Sequence, residues 1–230
     1  MPSSRRCIVL VPYLTHVEPA CEDGLRGLER NGYVVRRFQS TAAIDRMRCE
    51  LATSALQDGF DELMWIDSDV VFPPDAVERL RSYDLPIVGG IYAKKGVQDL
   101  AVHLEPETTE LKMGEGGHLI DVRYLGTGFM CTQRIVYEDI QRTFSLPPCN
   151  TRFGRPAVPY FLPMVMSDPP GYWYLGEDYA FCERARQSGH KVVVDSTIRL
   201  GHIGSYTYGW EDAGQAMPRV DSALFKFNRK

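Results

Sequence analysis

Two aspartates, Asp67 and Asp69, sit in the middle of ELMWIDSDVVFPPDA (62–76), a stretch that otherwise reads as a buried strand. Two ionised carboxylates placed close together repel each other and are costly to bury. The arrangement makes sense if a cation lies between them, or if the strand ends there and the acids face solvent. In an extended chain residues i and i+2 point the same way, so both carboxylates would converge on one point just past the strand. Ligands of open α/β sheets collect at the carboxyl ends of the strands, where this pair would lie. Hard oxygen ligands suit Mg2+ or Mn2+, with a diphosphate completing the shell. The plainer alternative is a turn-and-cap pair with Asp69 simply solvated, since so short a motif recurs by accident.

Other residue types invite the same weighing. Glu177 and Asp178 open the helical stretch EDYAFCERARQSGHK. Acids at a helix start are favoured by the macrodipole and the free N–H groups, so a simple cap explains them without chemistry. Gly126, Thr127 and Gly128 form a tight segment that either admits the backbone of a binding site close to a sugar or is a turn or bulge. Lys94 and Lys95 follow a predicted strand and face the same edge as the aspartates, where one of them touches phosphate or donor sugar unless the pair is merely solvated. The stretch 145–176 carries Phe153, Tyr160, Phe161, Tyr172, Trp173 and Tyr174. Sugars present apolar C–H faces to such rings, and a hydrophobic cluster pinning a long loop is the competing account. Trp173 and Tyr174, nearest to the acids of the helix, are the choices for a sugar pocket.

These residues need a scaffold, and the chain is long enough to build one. Its 230 residues, 44% hydrophobic and 24% charged, predict a globular α/β protein with a substantial core, in a single domain over 1–230. The net charge of −4 and the absence of a long basic run point neither to nucleic acid nor to an acidic membrane surface. Six scattered cysteines without a C-x-x-C argue against a zinc site or a disulfide scaffold and predict reduced thiols in a cytoplasmic protein. IVLV is too short for a signal-peptide core, and no apolar stretch approaches a membrane span.

Strand and helix alternate through the first hundred residues. CIVLVPY, YVVRRF, ELMWID and DLPIVGGIYAK read as strands. Between them lie helices that begin at Pro19, after a Ser40-Thr41 cap pair, and at PPDA. This order predicts a largely parallel, Rossmann-like sheet with right-handed crossovers. AVHLE and HLIDVRYL predict a small antiparallel portion in the second half, GTGFMCTQRIVYEDIQRTF a strand or turn running into a helix, and KVVVD a closing strand. The segment 145–176 is expected to be a long ordered loop, and 205–230 a polar-aromatic tail that could close as a lid.

DSDVVFPPDA, then GTGFM, then GEDYAFCERARQSGHKVVVDSTIRLGHIG resemble, in that order, glycosyltransferases of the GT-A fold, and in particular the compact bacterial and viral members related to family 2. The resemblance runs from about Cys7 to Gly204. It implies a nucleoside diphosphate sugar, most commonly UDP-linked, held through its diphosphate by Mn2+ or Mg2+, and transfer of the sugar to an acceptor hydroxyl. It further implies a nucleotide-binding half over about 7–100 and an acceptor half over about 101–204.

By the same resemblance Asp69 is the main metal ligand, Asp67 contacts the ribose or helps hold the metal, and His202 in RLGHIG supplies a third protein ligand. A neutral imidazole favours Mn2+ over Mg2+. The remaining histidines, His16, His103, His118 and His190, read as surface or core residues. Asp178 takes the role of general base in an inverting displacement, worth about 10²–10⁴-fold in rate, and Glu177 holds the acceptor or the base. Arg48, in MRCELATSAL, resembles the arginine of the family's A-R-N-x-L helix, although Cys49 replaces the usual Asn, and a solvated helix arginine remains the alternative. VPYLTHVEP corresponds to the loop that grips base and ribose, which makes Pro12, Tyr13 and Thr15 candidates.

Two other functions compete. A sugar-1-phosphate nucleotidyltransferase typically needs a Gly-rich, Arg-containing loop after the first strand, and VPYLTHVEP has no glycine. Against a non-catalytic nucleotide-sugar or carbohydrate-binding domain stands the intact set Asp67, Asp69, Asp178 and His202, and the alternative stays open. A glycan acceptor is the default, with protein, small-molecule and modified nucleic-acid hydroxyls left open. Nothing in the sequence sets the oligomeric state.

Overall fold

A computed structural model describes residues 5–39, 41–214 and 222–227 of the chain. Strand β1 (Cys7–Tyr13) alternates between two layers. Ile8 and Leu10 join the core on one face of the sheet, and Val9 and Val11 the core on the other. That is why its sequence reads as one continuous apolar run. Helix α1 (Pro19–Arg30) starts on a proline and carries Glu22 in its first turn and Arg30 in its last, both favourable to the helix dipole. Its buried stripe is Cys21, Leu25 and Leu28, at helical spacing.

Strand β2 (Val34–Gln39) pairs parallel with β1, and helix α2 (Ile44–Gln57) follows. The expected Ser40-Thr41 cap does not form, because α2 begins at Ile44 with Ala43 in the cap position, while Ser40 lies outside the described residues. Strand β3 (Glu62–Ile66) is buried throughout and pairs parallel with β1. After it come the short β4 (Val70–Val71), helix α3 (Ala76–Ser82) and β5 (Ile87–Gly90).

The second half contributes β6 (Val102–Leu104), β7 (Glu110–Gly114), β8 (Leu119–Leu125), β9 (Phe129–Gln133) and helix α4 (Arg134–Thr143). Then follow β10 (Met164–Asp168), β11 (Gly171–Leu175), helix α5 (Glu177–Gln187), β12 (Val192–Asp195), β13 (Gly201–Ile203), β14 (Thr207–Tyr208) and β15 (Ser222–Lys226).

One eight-stranded sheet holds the molecule together, in the order β2-β1-β3-β9-β5-β12-β8-β6. Strands β8 and β9 run against the other members, so the sheet is mostly parallel in direction, as expected. The position of β9 differs from the expected clean alternation: it is wedged antiparallel between β3 and β5, with Trp65 opposite Met130 and Val88 opposite Cys131. An apolar run encodes burial on both faces but not strand direction, so sequence alone does not place it. Helices α2, α4 and α5 pack on the face of Ile8 and Leu10; α1 and α3 cover the other.

The 145–176 stretch is more regular than a loop. β10 and β11 form a hairpin in which Met164, Met166, Trp173 and Leu175 pack inward, while Val165, Tyr172 and Tyr174 face solvent. This is the ordinary period-2 alternation of a half-buried hairpin, masked in the sequence by its neighbouring prolines. The described parts of the tail are anchored and do not stand free as a lid. β14 pairs with β13, Trp210 is buried with Nε1 donating to the Ile91 carbonyl, and β15 pairs with β7. Residues 215–221 and 228–230 lie outside the described part. Among the described residues no helix is long and apolar enough to cross a membrane.

Candidate active site

Strands β1, β3 and β5 share a direction, so their carboxyl ends meet at one edge of the sheet. There a cavity of about 340 Å³ is lined by Pro12, Tyr13, Arg48, Asp67, Asp69, Glu177 and His202, with Leu14, Ala42, Ile44, Met47 and Ser68 completing the wall. A larger hollow of about 650 Å³ between the β6 edge and Phe225 carries none of the candidate residues.

The two aspartates do not converge on one point. The chain leaves β3 at Ile66 and turns, with the Val70 amide donating to the Asp67 carbonyl at 3.1 Å, so the period-2 argument no longer applies to residues 67–69. Each carboxylate takes its own cation instead. Asp67 Oδ1 accepts from Arg48 Nη2 at 2.7 Å. Asp69 is paired with Lys95 through one oxygen and faces His202 Nε2 at 3.4 Å through the other. Burial pushes the Asp69 carboxyl up, but His202 and Lys95 outweigh it and hold the group below the usual carboxylate range.

Arg48 lies on the inward side of α2, only 3% exposed, with its guanidinium over the Trp65 ring. Its Nε lies 3.8 Å from Glu177 Oε1, beyond hydrogen-bonding distance, and its Nε and Nη1 lack a hydrogen-bond partner among the described residues. A buried guanidinium with two idle donors is costly unless a further acceptor arrives. The solvated-arginine alternative therefore fails.

His202 is placed by backbone pairing. The small sheet β14-β13-β4 sets His202 opposite Val70, and the Ile203 amide donates to the Asp69 carbonyl at 2.7 Å. Nδ1 lies 2.8 Å from the Ala93 carbonyl, which can only accept, so Nδ1 carries a proton in either charge state and Nε2 faces Asp69, as a donor in the imidazolium and as a lone pair in the neutral ring. Two lone-pair atoms facing each other need a proton or a cation between them. Ligands at about 2.1–2.2 Å from a common ion sit roughly 3 Å apart, so this pair fits two adjacent corners of a coordination shell. The fit stops at two donors. Among the described residues no group of three or more His, Cys, Asp or Glu is arranged to hold a metal, and one oxygen of Asp67 is taken by Arg48.

Glu177 and Asp178 occupy the first turn of α5, after Gly176 as cap. Glu177 reaches the cavity and Asp178 is not among its lining residues. Asp178 accepts from the Tyr179 amide at 2.7 Å. Burial, reinforced by the neighbouring Glu177 charge, pushes its carboxyl up to about 6 despite that hydrogen bond.

Several expected contacts are absent. Thr15 is exposed and bonded to its neighbour His16. Lys94 pairs with Asp99 at 2.6 Å, and it is Lys95 that reaches Asp69. Trp173 packs against His103, Tyr124 and Tyr179, outside the cavity lining, because the hairpin turns its ring toward the core. Tyr174 faces solvent. Gly128 is required by protein atoms and not by a sugar: a Cβ there would lie 2.5 Å from the Tyr92 hydroxyl and 2.9 Å from Asp67 Oδ2. The segment is the turn between β8 and β9, and the Gly128 carbonyl accepts from the Asp67 amide at 2.9 Å.

Tyr92 was not singled out by any sequence pattern. Its buried hydroxyl accepts from the Gly128 amide at 3.0 Å and its ring stands edge-on to His202 at 5.0 Å. Burial, with the charges of Asp67 and Asp178, raises its pKa well above the usual value and keeps the phenol protonated. The only available signal was a tyrosine near the end of the predicted strand DLPIVGGIYAK, which in the structure lies just past β5.

No protein-family model and no curated protein matches the chain. Among solved structures the chain is similar to A197 from STIV, at 18% identity over 86% of each chain, with a TM-score of 0.52. It also aligns with GalNAc-T7 in complex with UDP, GalNAc and Mn2+, at 10% identity over 87% of this chain and 44% of the other, TM-score 0.46. A third alignment is to the inositol-1-phosphate CTP transferase of T. maritima, at 12% identity over 88% and 91%, TM-score 0.42. At 18% identity the likeness to A197 is one of fold alone.

Proposed function

We propose that the chain is a GT-A-type glycosyltransferase that uses a divalent ion to move a sugar from a nucleoside diphosphate sugar, UDP-linked by preference, to an acceptor hydroxyl. The observation that carries the reading is the meeting of Arg48, Asp67, Asp69, Glu177 and His202 in one cavity at the carboxyl edge of the sheet. These residues come from sequence positions 48 to 202 and are brought together only by the fold.

In this reading Pro12 and Tyr13 hold the base and ribose, and the idle Nε and Nη1 of Arg48 donate to the nucleotide. Asp69 and His202 would hold the ion, which when bound would supply positive charge to the diphosphate leaving group. Glu177 orients the acceptor or the base. The acceptor oxygen bonds to the anomeric carbon while the bond from that carbon to phosphate breaks. Its electron pair leaves with the diphosphate, and Asp178 takes the hydroxyl proton. With its pKa near 6, Asp178 is largely ionised at neutral pH yet still basic enough to accept that proton. Thr15, Lys94 and Trp173 have no role in it.

Calorimetry of UDP and GDP binding with and without Mn2+ tests the reading, and ion-dependent binding of at least one nucleotide is expected. Metal-independent binding, or none, refutes it. Asp178→Asn should leave donor affinity near normal and lower transfer by about 10²–10⁴-fold. Release of pyrophosphate from a triphosphate would point to a nucleotidyltransferase instead.

A further inference from the structure

Asp69 already has a cation in place. Lys95 is bonded to its Oδ2, and the lysine is seated for that contact in two ways. Its stem lies over Gly204, where a Cβ would come within 3.2 Å of Lys95 Cδ and 3.6 Å of Cγ. The same Cβ would stand 3.0 Å from the Tyr208 ring, so the glycine leaves a slot that the lysine fills. The hairpin turn that carries it, closed by the antiparallel bridge between Ala93 and Leu100, is also tied to the site, since the Ala93 carbonyl lies 2.8 Å from His202 Nδ1. With 34% of its side chain exposed, Lys95 is nonetheless free to leave.

Resting on the metal-dependent reading, we propose that Lys95 is a resident counter-cation that competes with the divalent ion for Asp69. An ammonium in contact with this carboxylate repels an incoming ion and occupies one of its oxygens. The ion displaces it only when a diphosphate brings further oxygen ligands to complete the shell. Displacement leaves the ammonium free at the edge of the same cavity, where a diphosphate offers it new oxygens. The free ion therefore binds weakly, and ion and nucleotide bind cooperatively, each raising the affinity for the other by the same factor.

The test is Mn2+ binding by calorimetry and by the loss of the free-ion electron paramagnetic resonance signal, without nucleotide and then with UDP or GDP. Lys95→Gln should bind free Mn2+ about tenfold more tightly than the unaltered protein and show a correspondingly smaller gain on adding nucleotide. Lys95→Arg, which keeps the charge, and Lys94→Gln, whose parent side chain pairs with Asp99, should behave like the unaltered protein. If the unaltered protein binds Mn2+ with nucleotide but Lys95→Gln binds the free ion no more tightly, the competition is overturned and the metal-dependent reading stands. If the unaltered protein binds no Mn2+ with either nucleotide, both are overturned.

Discussion

The two ends of the aspartate turn are built on opposite terms. On one side Asp67, Arg48 and Glu177 form a sunken group whose cation is walled in by α2, Trp65 and α5. On the other, Asp69, His202 and Lys95 sit on a three-stranded ribbon and a hairpin turn, each partly open to solvent. A cation fixed in the interior resists exchange, since moving it would strand charge in a poorly solvated place. A cation at the rim can be traded at small cost. The difference divides the work of the cavity: one side keeps a permanent shape and charge, the other accepts a visitor.

That division can be broken most severely at Arg48. Arg48→Met should destabilise the fold by about 2–4 kcal/mol in urea denaturation and remove nucleotide binding, because the paired carboxylates lose their buried partner. A change below about 1 kcal/mol would mean that the two sides do not differ. Asp69→Asn is the contrasting case. It should lower Mn2+ affinity in the presence of nucleotide by about 10–100-fold while shifting stability by less than about 1 kcal/mol.

A smaller effect is expected from pH. The Asp178 carboxyl sits at about 6 in the folded protein, above its ordinary value, so the folded state holds the proton more tightly than the unfolded chain. Its contribution to stability is complete below about pH 4 and is lost as pH rises through about 6. Asp178→Asn should remove that slope and leave the variant on the order of 1–2 kcal/mol more stable at neutral pH, measured by thermal or urea unfolding across the range. The smallest effect belongs to Tyr92→Phe, which deletes the hydroxyl that accepts from Gly128 and should cost about 0.5–1.5 kcal/mol. A larger loss of nucleotide affinity than of stability would place Tyr92 with the exchangeable side, through His202.

Much of this was legible in the residues themselves. Apolar runs such as CIVLVPY and ELMWI, and the helix start at Pro19, lead directly to β1, β3 and α1. Asp67, Asp69 and Glu177 stand out by residue type and position and His202 by the family resemblance, and the four share a cavity. What failed was anything that depends on direction or choice of partner. The direction of β9 is invisible in FMCTQ, and the hairpin at 164–175 is hidden among prolines. The choice of Lys95 over Lys94 is set by one residue of hairpin register, and the inward turn of Trp173 by the pleat of β11. Tyr92 is defined by what it touches, namely Gly128 and His202, both distant in sequence.

The wedged strand β9 has a consequence for how the chain matures. Its immediate neighbours β3 and β5 are complete by Gly90, yet the piece that joins them ends at Gln133, and β12, which flanks β5, ends only at Asp195. During synthesis the early strands must wait, edges uncovered, for a partner still inside the ribosome, a situation that slows acquisition of structure and invites association between nascent chains. A fragment ending before Phe129 should consequently be far more prone to aggregate than the whole chain, and slower translation across residues 91–128 should lower the yield of native protein.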